Sequence, residues 1–428
     1  MRRFDASDAG FDAEFGAFLA EPRGSPADVD AAVGTVIAAV RAEGMAAVLR
    51  FTRQFDRVEL TEETMRVSAA EIAAGVAACP AQVREALAFA SARIEAYHVR
   101  QRPADERFVD GAGLELGWRW TPLDSVGVYV PGGRAAYPSS VLMNVIPAKV
   151  AGVGRIAMVT PPGRLSPAVL AAAEIAGVSE IWRVGGAQAI AALAHGAGPI
   201  AAVDKIVGPG NAYVTAAKRR LYGVVGLDAM AGPSEIVVVA DAANDPAWIA
   251  ADLLSQAEHD PDAQAILITD DANFADVVEA AIGDQLGVLA TAETAAASLR
   301  EHGAVIIAPL ERAPELVDRI APEHVEFALA DPERLAARVR HAGAIFIGRF
   351  APEAIGDYVA GPNHVLPTSG SARFSSGLSV LDFLKRTSII KCDASAFAAL
   401  AGAVVTLAAA EGLPAHARSA SIRTNRSD

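Results

Sequence analysis

Cysteine, positive charge and long apolar runs are all scarce in this chain of 428 residues. Its two cysteines, Cys79 and Cys392, form no C-x-x-C motif, which favours reduced thiols and a cytoplasmic protein over a disulfide framework. The N-terminus lacks the apolar segment of a signal peptide. The uncharged, alanine-rich stretch from Ala394 to Ala410 is short for a membrane span, so we expect a buried helix there.

The charge balance excludes some partners. The formal net charge is −14, which disfavours nucleic acid or an anionic membrane as the main partner, because both attract basic surfaces. A hydrophobic fraction of 52% with 21% charged residues is typical of a well-packed globular protein. The chain is too long for one ordinary core, so we expect two or three domains.

From Ser125 onward, short β-branched runs alternate with alanine-rich helical runs, after an N-terminal third that is helical in pattern. This alternation predicts βαβ units and parallel sheets. A second block of the same kind begins at Glu235, so we expect two α/β units, each with its own sheet. The predicted strands are Val126–Val130, Arg155–Val159, Glu180–Val184, Lys205–Val207, Glu235–Val239, Ala265–Thr269, Val305–Ala308, Val325–Ala328 and Ala344–Ile347.

Two polar clusters interrupt the second block. Gln256 and His259 are three residues apart in a helical context, so both side chains can reach one cation, although an exposed polar helix end has the same pattern. Glu323 and His324 precede an apolar strand, where an α/β protein presents functional side chains, and a solvated turn is the alternative. Neighbours on an extended backbone point to opposite sides. We therefore expect different roles, a general base for an alcohol and a carboxylate that activates water.

Two further pairs of ligand-type side chains flank turns. Asp357 and His364 lie on either side of Gly361-Pro362-Asn363, a turn that can bring them together or can simply carry a surface histidine. Glu411 and His416 bracket a Gly-Leu-Pro segment after the alanine-rich helix, where an ordinary helix C-terminus is the simpler interpretation.

Glycine turns follow three of the predicted strands. They are Pro131-Gly132-Gly133-Arg134, Gly185-Gly186-Ala187-Gln188 and Gly208-Pro209-Gly210-Asn211. Turns at the carboxyl ends of parallel strands mark the edge where α/β folds bind ligands, although glycine is also common in such turns. The last turn does not complete the dinucleotide motif G-x-G-x-x-G, because Tyr213 occupies the final position.

These clusters and turns together resemble the histidinol dehydrogenase family. The resemblance covers nearly the whole chain, in order, and extends to His416. It is carried by the blocks GVYVPGG from Gly127, VGGAQAI from Val184, DKIVGPGN from Asp204, AGPSE from Ala231, DLLSQAEH from Asp252, APEH from Ala321, GPNHVLP from Gly361 and EGLPAH from Glu411.

The family resemblance implies a fold of two incomplete Rossmann-like parallel-sheet domains, with a helical N-terminal and an extended C-terminal segment exchanged in a homodimer. On this basis we expect residues 1–30 to form the N-terminal segment. Residues 31–118 with 237–373 would form the zinc and catalytic domain. Residues 119–236 would form the NAD-contacting domain, and residues 374–428 a tail that contributes to the partner's site.

The family also implies an activity and a set of site residues. The activity is the NAD⁺-dependent, four-electron oxidation of L-histidinol to L-histidine through histidinal, the last two steps of histidine biosynthesis. Each subunit would hold one zinc ion, although manganese also suits these donors. The implied acid/base pair is Glu323 and His324. The implied zinc ligands are Gln256, His259, Asp357 and, from the other subunit, His416. The implied substrate contacts are the four zinc ligands together with Ser234, His324, His364 and, from the other subunit, Glu411. The implied NAD contacts are Tyr129, Gln188 and Asn211.

Three alternatives remain at this point. A relative that oxidises another small polar alcohol, such as a sulfonated diol, would share these motifs but should carry added arginines; Arg373 and Arg386 leave that point open. A zinc hydrolase with Glu323 as base predicts no dependence on NAD⁺. A non-catalytic binding protein would not need Glu323 and His324 beside a metal site.

Overall fold

The computed structural model describes residues 1–23, 28–132, 137–163, 165–229 and 232–424. Gly133 and Arg134 of the first glycine turn, Ala231 of the AGPSE block and the last four residues lie outside this described part. The strands are β1 (Arg2–Asp5), β2 (Glu106–Val109), β3 (Glu115–Pro122), β4 (Ser125–Tyr129), β5 (Arg155–Thr160), β6 (Glu180–Arg183), β7 (Lys205–Val207), β8 (Gly226–Leu227), β9 (Glu235–Ala240), β10 (Gln264–Thr269), β11 (Ala304–Ile307), β12 (His324–Ala328), β13 (Ala344–Ile347) and β14 (Leu384–Lys391). The helices are α1 (Phe11–Ala20), α2 (Asp28–Glu43), α3 (Met45–Asp56), α4 (Glu62–Met65), α5 (Ala69–Ala78), α6 (Ala81–Val99), α7 (Pro138–Ala151), α8 (Pro167–Ala176), α9 (Gly186–His195), α10 (Ala212–Leu221), α11 (Pro246–Ala257), α12 (Ala272–Leu286), α13 (Ala292–Glu301), α14 (Ala313–Ile320), α15 (Glu333–Ala336), α16 (Glu353–Tyr358), α17 (Ala394–Ala410) and α18 (Pro414–Thr424).

Two parallel sheets confirm the predicted pair of α/β units. One sheet has five strands in the order β6-β5-β4-β7-β8, and the other has six in the order β1-β11-β10-β9-β12-β13. Every residue of β9 and β10 is buried, because helices or loops cover both faces of the sheet. The first strand of the six-stranded sheet is β1, so the expected N-terminal helical segment begins with a strand that pairs with β11.

The N-terminal helices pack on the five-stranded sheet. Helix α2 contacts α9 and α10, α5 contacts α8, and α6 contacts both α7 and α8. Their apolar side chains fill the two cores that lie on opposite faces of that sheet. These helices therefore share cores with the helices around β4 to β8. The grouping of residues 31–118 with residues 237–373 in one domain stays a prediction.

A third sheet was not predicted. Strands β14, β3 and β2 form an antiparallel sheet in which Leu384 pairs with Pro122 and Lys391 with Glu115. No strand is predicted from the sequence after Ile347, and none of the eight residues of β14 is buried. This sheet joins the C-terminal segment to the connection between α6 and β4.

Helix α17 is mostly exposed within one chain, contrary to the expectation of a buried helix. Only Ala396, Ala401 and Ala408 are buried, whereas Val404 and Leu407 are 42% and 64% exposed. The helix packs against α18 in an arm that follows β14. Among the described residues, no helix combines the length and the hydropathy that crossing a membrane requires.

Candidate active site

Glu323 and His324 lie at the amino edge of the six-stranded sheet. Strand β12 begins at His324, which is opposite Ile236 of the parallel neighbour β9. Helix α14 ends at Ile320, and the next residue, Ala321, has a φ of 51°, a left-handed conformation that costs alanine about 1 kcal/mol. This turn directs both Glu323 and His324 inward, where they are only 6% and 3% exposed.

The contacts of His324 fix the orientation of its ring. Its Nδ1 lies 3.0 Å from the backbone oxygen of Glu235 and 3.0 Å from Oε1 of Gln256. Both partners are acceptors, so Nδ1 carries the proton and donates it. The other ring nitrogen, Nε2, lies 4.0 Å from Oδ1 of Asp357. In the neutral ring this nitrogen has a free lone pair, so it is the atom that can take a proton from a substrate.

Burial sets the protonation states of this pair. Loss of water lowers the pKa of His324 to about 4, so the ring is neutral at neutral pH. Burial, followed by the negative charge of Glu235, raises the pKa of Glu323 well above its ordinary value. Oε2 of Glu323 accepts a hydrogen bond from the backbone N–H of Glu235 (3.1 Å). A neutral imidazole beside a carboxyl group of high proton affinity is suited to proton transfer.

The two side chains do not point to opposite sides as expected. Oε2 of Glu323 is 3.9 Å from Nδ1 of His324. Glu323 precedes the first residue of β12 and follows the left-handed turn at Ala321, so the alternation of a regular strand does not apply to it.

A group of potential metal ligands lies beside His324. Ligand atoms of His259, Glu353 and Asp357 all lie within 4.8 Å of one another. Gln256 is fully buried at the end of α11, and His259 follows that helix. The sequence placed His259 and Asp357 in one site but missed Glu353, although it stands four residues before Asp357 at the start of α16.

Several carboxyl groups behind this cluster are buried together. Burial, followed by the charge of Asp357, raises the pKa of Glu353 to about 8. Burial also raises the pKa of Asp252 to about 6 and, with the charge of Asp252, raises that of Glu326 well above its ordinary value. Ser255 Oγ donates to Oε2 of Glu353 (3.0 Å), while the buried Oε1 has no donor among the described residues. Crowded acidic groups with an unpaired oxygen fit a site for a cation.

A loop from 361 to 370 connects this cluster to the other sheet. Nδ1 of His364 is 3.1 Å from the backbone oxygen of Asp357, and loss of water lowers the pKa of this ring. Farther along the loop, Ser369 N–H donates to Oε1 of Glu235 (3.1 Å). Glu235 is buried and also pairs with Arg23, a contact that no local sequence pattern predicts.

Ser234 immediately precedes β9, at the amino edge that carries His324. It is partly buried, and its backbone oxygen accepts from Gln264 N–H (2.9 Å). The structure therefore places Ser234 on the same side of the sheet as the acid/base pair.

Glu411 and His416 lie outside this cluster in a single chain. Glu411 caps the end of α17, and His416 lies in the first turn of α18. Both are exposed, and within the described part of the chain neither joins the group around Asp357. A single chain therefore does not bring Glu411 and His416 together with the other expected site residues.

The three expected NAD contacts lie at the carboxyl edge of the five-stranded sheet. Tyr129 ends β4, and its hydroxyl accepts from Gly186 N–H (3.2 Å) at the start of α9. Gln188, in the first turn of α9, is buried, and its Oε1 has no hydrogen-bond partner among the described residues. Asn211 caps α10 through Oδ1, which accepts from Tyr213 N–H (3.1 Å), so its Nδ2 is left for a ligand.

A buried ion pair fixes the loop that carries Asn211. Lys218 Nζ donates to the backbone oxygen of Gly208 (2.6 Å) and to Asp228 Oδ1 (2.7 Å). Asp228 Oδ2 accepts the N–H of Gly208 (2.7 Å). Gly208 has φ 106°, and a Cβ atom there would lie 2.2 Å from the backbone oxygen of Tyr129. The glycine is therefore required by its conformation and by the close approach of β4, independently of any dinucleotide motif.

Comparison with known proteins gives a consistent result. The family model described as histidinol dehydrogenase matches residues 19–424. The chain is 72% identical to a histidinol dehydrogenase of Caulobacter vibrioides, with 100% of each chain covered. It is 58% identical to one of Rhodospirillum rubrum, with 99% of each chain covered. A crystal structure of histidinol dehydrogenase from Elizabethkingia anophelis superimposes with a TM-score of 0.94 at 34% identity, covering 99% of this chain and 98% of that chain.

Proposed function

Because this chain belongs to the histidinol dehydrogenase family, and is therefore an oxidoreductase of histidine biosynthesis, we propose that it performs both oxidations from L-histidinol to L-histidine. The observation that carries the proposal is the neutral, buried His324, whose Nε2 faces Asp357 in a cluster of metal-ligand side chains. Two oxidations of one bound molecule need a base that can remove a proton twice and a nearby site that holds the molecule in place between the two steps.

We infer that a divalent cation, zinc in the first instance, binds at this cluster. His259, Asp357 and Gln256 would hold it, together with His416 of the partner subunit. The unpaired Oε1 of Glu353 and the raised pKa of this residue support the site, because a nearby positive charge relieves both. When bound, zinc supplies a charge that anchors the nitrogen atoms of the substrate and orients its alcohol.

NAD⁺ is the proposed oxidant in each step. Tyr129, Gln188 and Asn211 would contact it at the carboxyl edge of the five-stranded sheet, the position where ligands of α/β folds bind. The buried, unpaired Oε1 of Gln188 supports this assignment, because a buried acceptor needs a polar partner. When bound, NAD⁺ supplies the acceptor for the hydride from the carbon that is oxidised.

In the proposed first oxidation, Nε2 of His324 takes the hydroxyl proton of histidinol as the hydride leaves the same carbon. The ring needs no prior deprotonation, since its pKa is about 4. The hydrogen bond from Nδ1 to the Glu235 carbonyl stabilises the imidazolium that forms, and Asp357 lies beside Nε2. The product of this step is histidinal, an aldehyde that the closed site protects.

In the proposed second oxidation, Glu323 removes a proton from water as the water attacks the aldehyde carbon. The raised pKa of Glu323 makes its ionised form a stronger base than an exposed carboxylate. The proton that His324 took in the first oxidation would pass to the aldehyde oxygen as the hydrate forms. The ring, neutral again, then takes a hydroxyl proton of the hydrate while a second hydride leaves to a second NAD⁺. Ser234 and His364 would contact the substrate, the former beside β9 and the latter beside Asp357.

We further propose that the working enzyme is a homodimer in which the C-terminal arm completes the site of the other subunit. Glu411 and His416 of the partner subunit would then reach the metal and substrate. The exposed apolar side chains of Val404 and Leu407 support this arrangement, because an isolated arm leaves them in water. The cytoplasm is the proposed location, which suits the unpaired Cys79 and Cys392.

The substrate and the metal can be tested in one experiment. Zinc-loaded protein should reduce NAD⁺ with L-histidinol, and removing the metal with a chelator should lower the rate by about 100-fold or more. Adding zinc back is the control for damage during chelation. NADH formed from a sulfonated diol but not from histidinol would contradict the proposed substrate. Hydrolysis without NADH from any alcohol would contradict the proposed reaction class.

A further inference from the structure

The C-terminal end of α3 lies beside the proposed NAD⁺ contacts. Met45, at the start of α3, lies against Gly198 beyond the end of α9, where an added Cβ atom would be 3.1 Å from the Met45 Cβ. At the other end of α3, burial and, to a smaller extent, the charge of Asp56 raise the pKa of Tyr129 to about 12. Helix α3 therefore runs antiparallel to α9 and brings Asp56 to the edge where Tyr129 accepts from Gly186.

The carboxyl group of Asp56 has an unused hydrogen-bonding atom. Its Oδ2 is buried, and no donor among the described residues reaches it. Burial raises the pKa of this carboxyl group, as expected for an acid that has lost water without gaining a partner. Leaving such an oxygen unpaired costs free energy, and a ligand hydroxyl that donates to it would offset this cost.

An exposed aromatic ring stands next to this carboxyl group. Phe55 precedes Asp56 in the last turn of α3, and its side chain is 54% exposed. It stacks on Phe51 with 5.6 Å between ring centroids and 5° between ring planes, so its orientation is fixed from one side. An oriented ring with a free face can stack with a nucleobase.

The position of Asp56 indicates which of the two ribose groups of NAD⁺ it would contact. Phe51 of α3 shares a core with Tyr129 and α9, so α3, which ends at Asp56, covers the same face of the five-stranded sheet as α9. The loop that carries His364 meets the opposite face, where Asn363 Nδ2 donates to the backbone oxygen of Met143 in α7 (2.6 Å). Asp56 is therefore on the side of this sheet away from the substrate. Because the nicotinamide must lie next to the substrate, the ribose near Asp56 would be the adenosine ribose.

We propose that Asp56 accepts a hydrogen bond from the 2′-hydroxyl of the adenosine ribose, so that the site selects NAD⁺ and rejects NADP⁺, while Phe55 supports the adenine. This inference rests on the proposed function, because it needs a dinucleotide at the edge marked by Tyr129. A carboxylate at this position pairs with a ribose hydroxyl and repels a 2′-phosphate.

The substitution Asp56→Asn tests this selectivity. With saturating histidinol, the KM for NAD⁺ should rise about tenfold, and the preference for NAD⁺ over NADP⁺ in kcat/KM should fall about 100-fold. The kcat at saturating NAD⁺ should stay within about twofold, since Asp56 is remote from the reacting carbon. The matched control is Glu59→Gln, which removes the same charge from a side chain that is 82% exposed and should leave the preference unchanged.

A binding measurement separates this inference from the proposed reaction. Calorimetric titration with ADP-ribose and with 2′-phospho-ADP-ribose needs no turnover. Wild-type protein should bind ADP-ribose at least about tenfold more tightly than 2′-phospho-ADP-ribose, and Asp56→Asn should reduce this difference in affinity. The role of Asp56 would be overturned if wild type and Asp56→Asn showed the same difference in affinity, or if Glu59→Gln reduced that difference as much as Asp56→Asn. Wild-type protein that shows this difference but forms no NADH from histidinol would contradict the proposed reaction alone.

A second variant covers the case in which Asp56→Asn fails to fold. Phe55→Ala removes an exposed ring and should raise the dissociation constants of both ADP-ribose forms by about the same factor, roughly tenfold. Unchanged binding of both forms to a folded Phe55→Ala protein would overturn the proposed site for the adenosine half.

Discussion

Replacing His324 by asparagine should lower the kcat for histidinol oxidation by about 10²- to 10⁴-fold, the usual contribution of a general base. Asparagine can keep a donor near the Glu235 carbonyl that now accepts from Nδ1, but it offers no basic atom in place of Nε2. The reaction requires that atom in both oxidations, so the rate with supplied histidinal should fall as well. Steady-state rates with each substrate at saturating NAD⁺ would measure the effect.

Two controls separate loss of the base from loss of the site. The His324→Asn protein should bind as much zinc as the wild type, because Nε2 of His324 faces Asp357 without belonging to the proposed ligand set. His341→Asn, a change in a histidine outside the cluster, should leave kcat unchanged. A zinc-loaded His324→Asn enzyme that keeps more than about a tenth of the wild-type kcat would show that another group takes the alcohol proton.

Two inactive variants should restore activity when they are combined in one dimer. His324→Asn removes the base from its own site, whereas His416→Ala removes a ligand from the site of the other subunit. A hybrid dimer would then contain one intact site, with His324 from one subunit and His416 of the partner subunit. If random assembly makes half of the dimers hybrids, the mixture should recover about a quarter of wild-type activity.

This recovery has a matched negative control. His324→Asn combined with Glu323→Gln should give no recovery of histidine formation from histidinol, because both changes affect the same half of a site and no hybrid contains an intact one. Co-expressed subunits with two different affinity tags would allow the hybrid to be purified and assayed. A purified hybrid of His324→Asn and His416→Ala that is as inactive as its parents would contradict a site shared between subunits.

Local sequence patterns predicted the regular elements well. The spacing of apolar residues predicts helices at Ala212–Leu221 and Pro246–Ala257, which are the bounds of α10 and α11, and Asn211 and Asp245 cap their first turns. Strand β12 was expected one residue later than it begins, because a histidine does not extend an apolar run. Such features depend on a few neighbouring residues, so they can be predicted from the sequence without knowledge of the fold.

Long-range packing could not be predicted in the same way. The apolar face of α2 suits any helical surface, and only the structure shows that it packs on α9 and α10. Strand β14 is similar, because its mixed polar sequence forms a strand only when β3 is beside it. Helix α17 was expected to be buried, and a sequence does not show whether its own chain or another covers an apolar helix.

In the candidate site, too, local patterns predicted some residues, and only long-range packing placed the others. His259, Asp357 and His324 had ligand-type neighbours that made them visible, and the structure brings these three residues together. Glu353 had no such neighbour, since only the geometry of α16 places its carboxyl group beside His259. Glu235 looks like an ordinary strand start until its contacts with Arg23 and Ser369 are known.

The central claim is that one buried site performs two successive oxidations of the same molecule. The most direct measurement is the amount of NADH formed per molecule of limiting L-histidinol by zinc-loaded protein, with histidine and histidinal assayed at completion. The account predicts two NADH per histidinol, with histidine as the only product. One NADH per histidinol with histidinal accumulating in solution would contradict it, because the second oxidation would then not belong to this site.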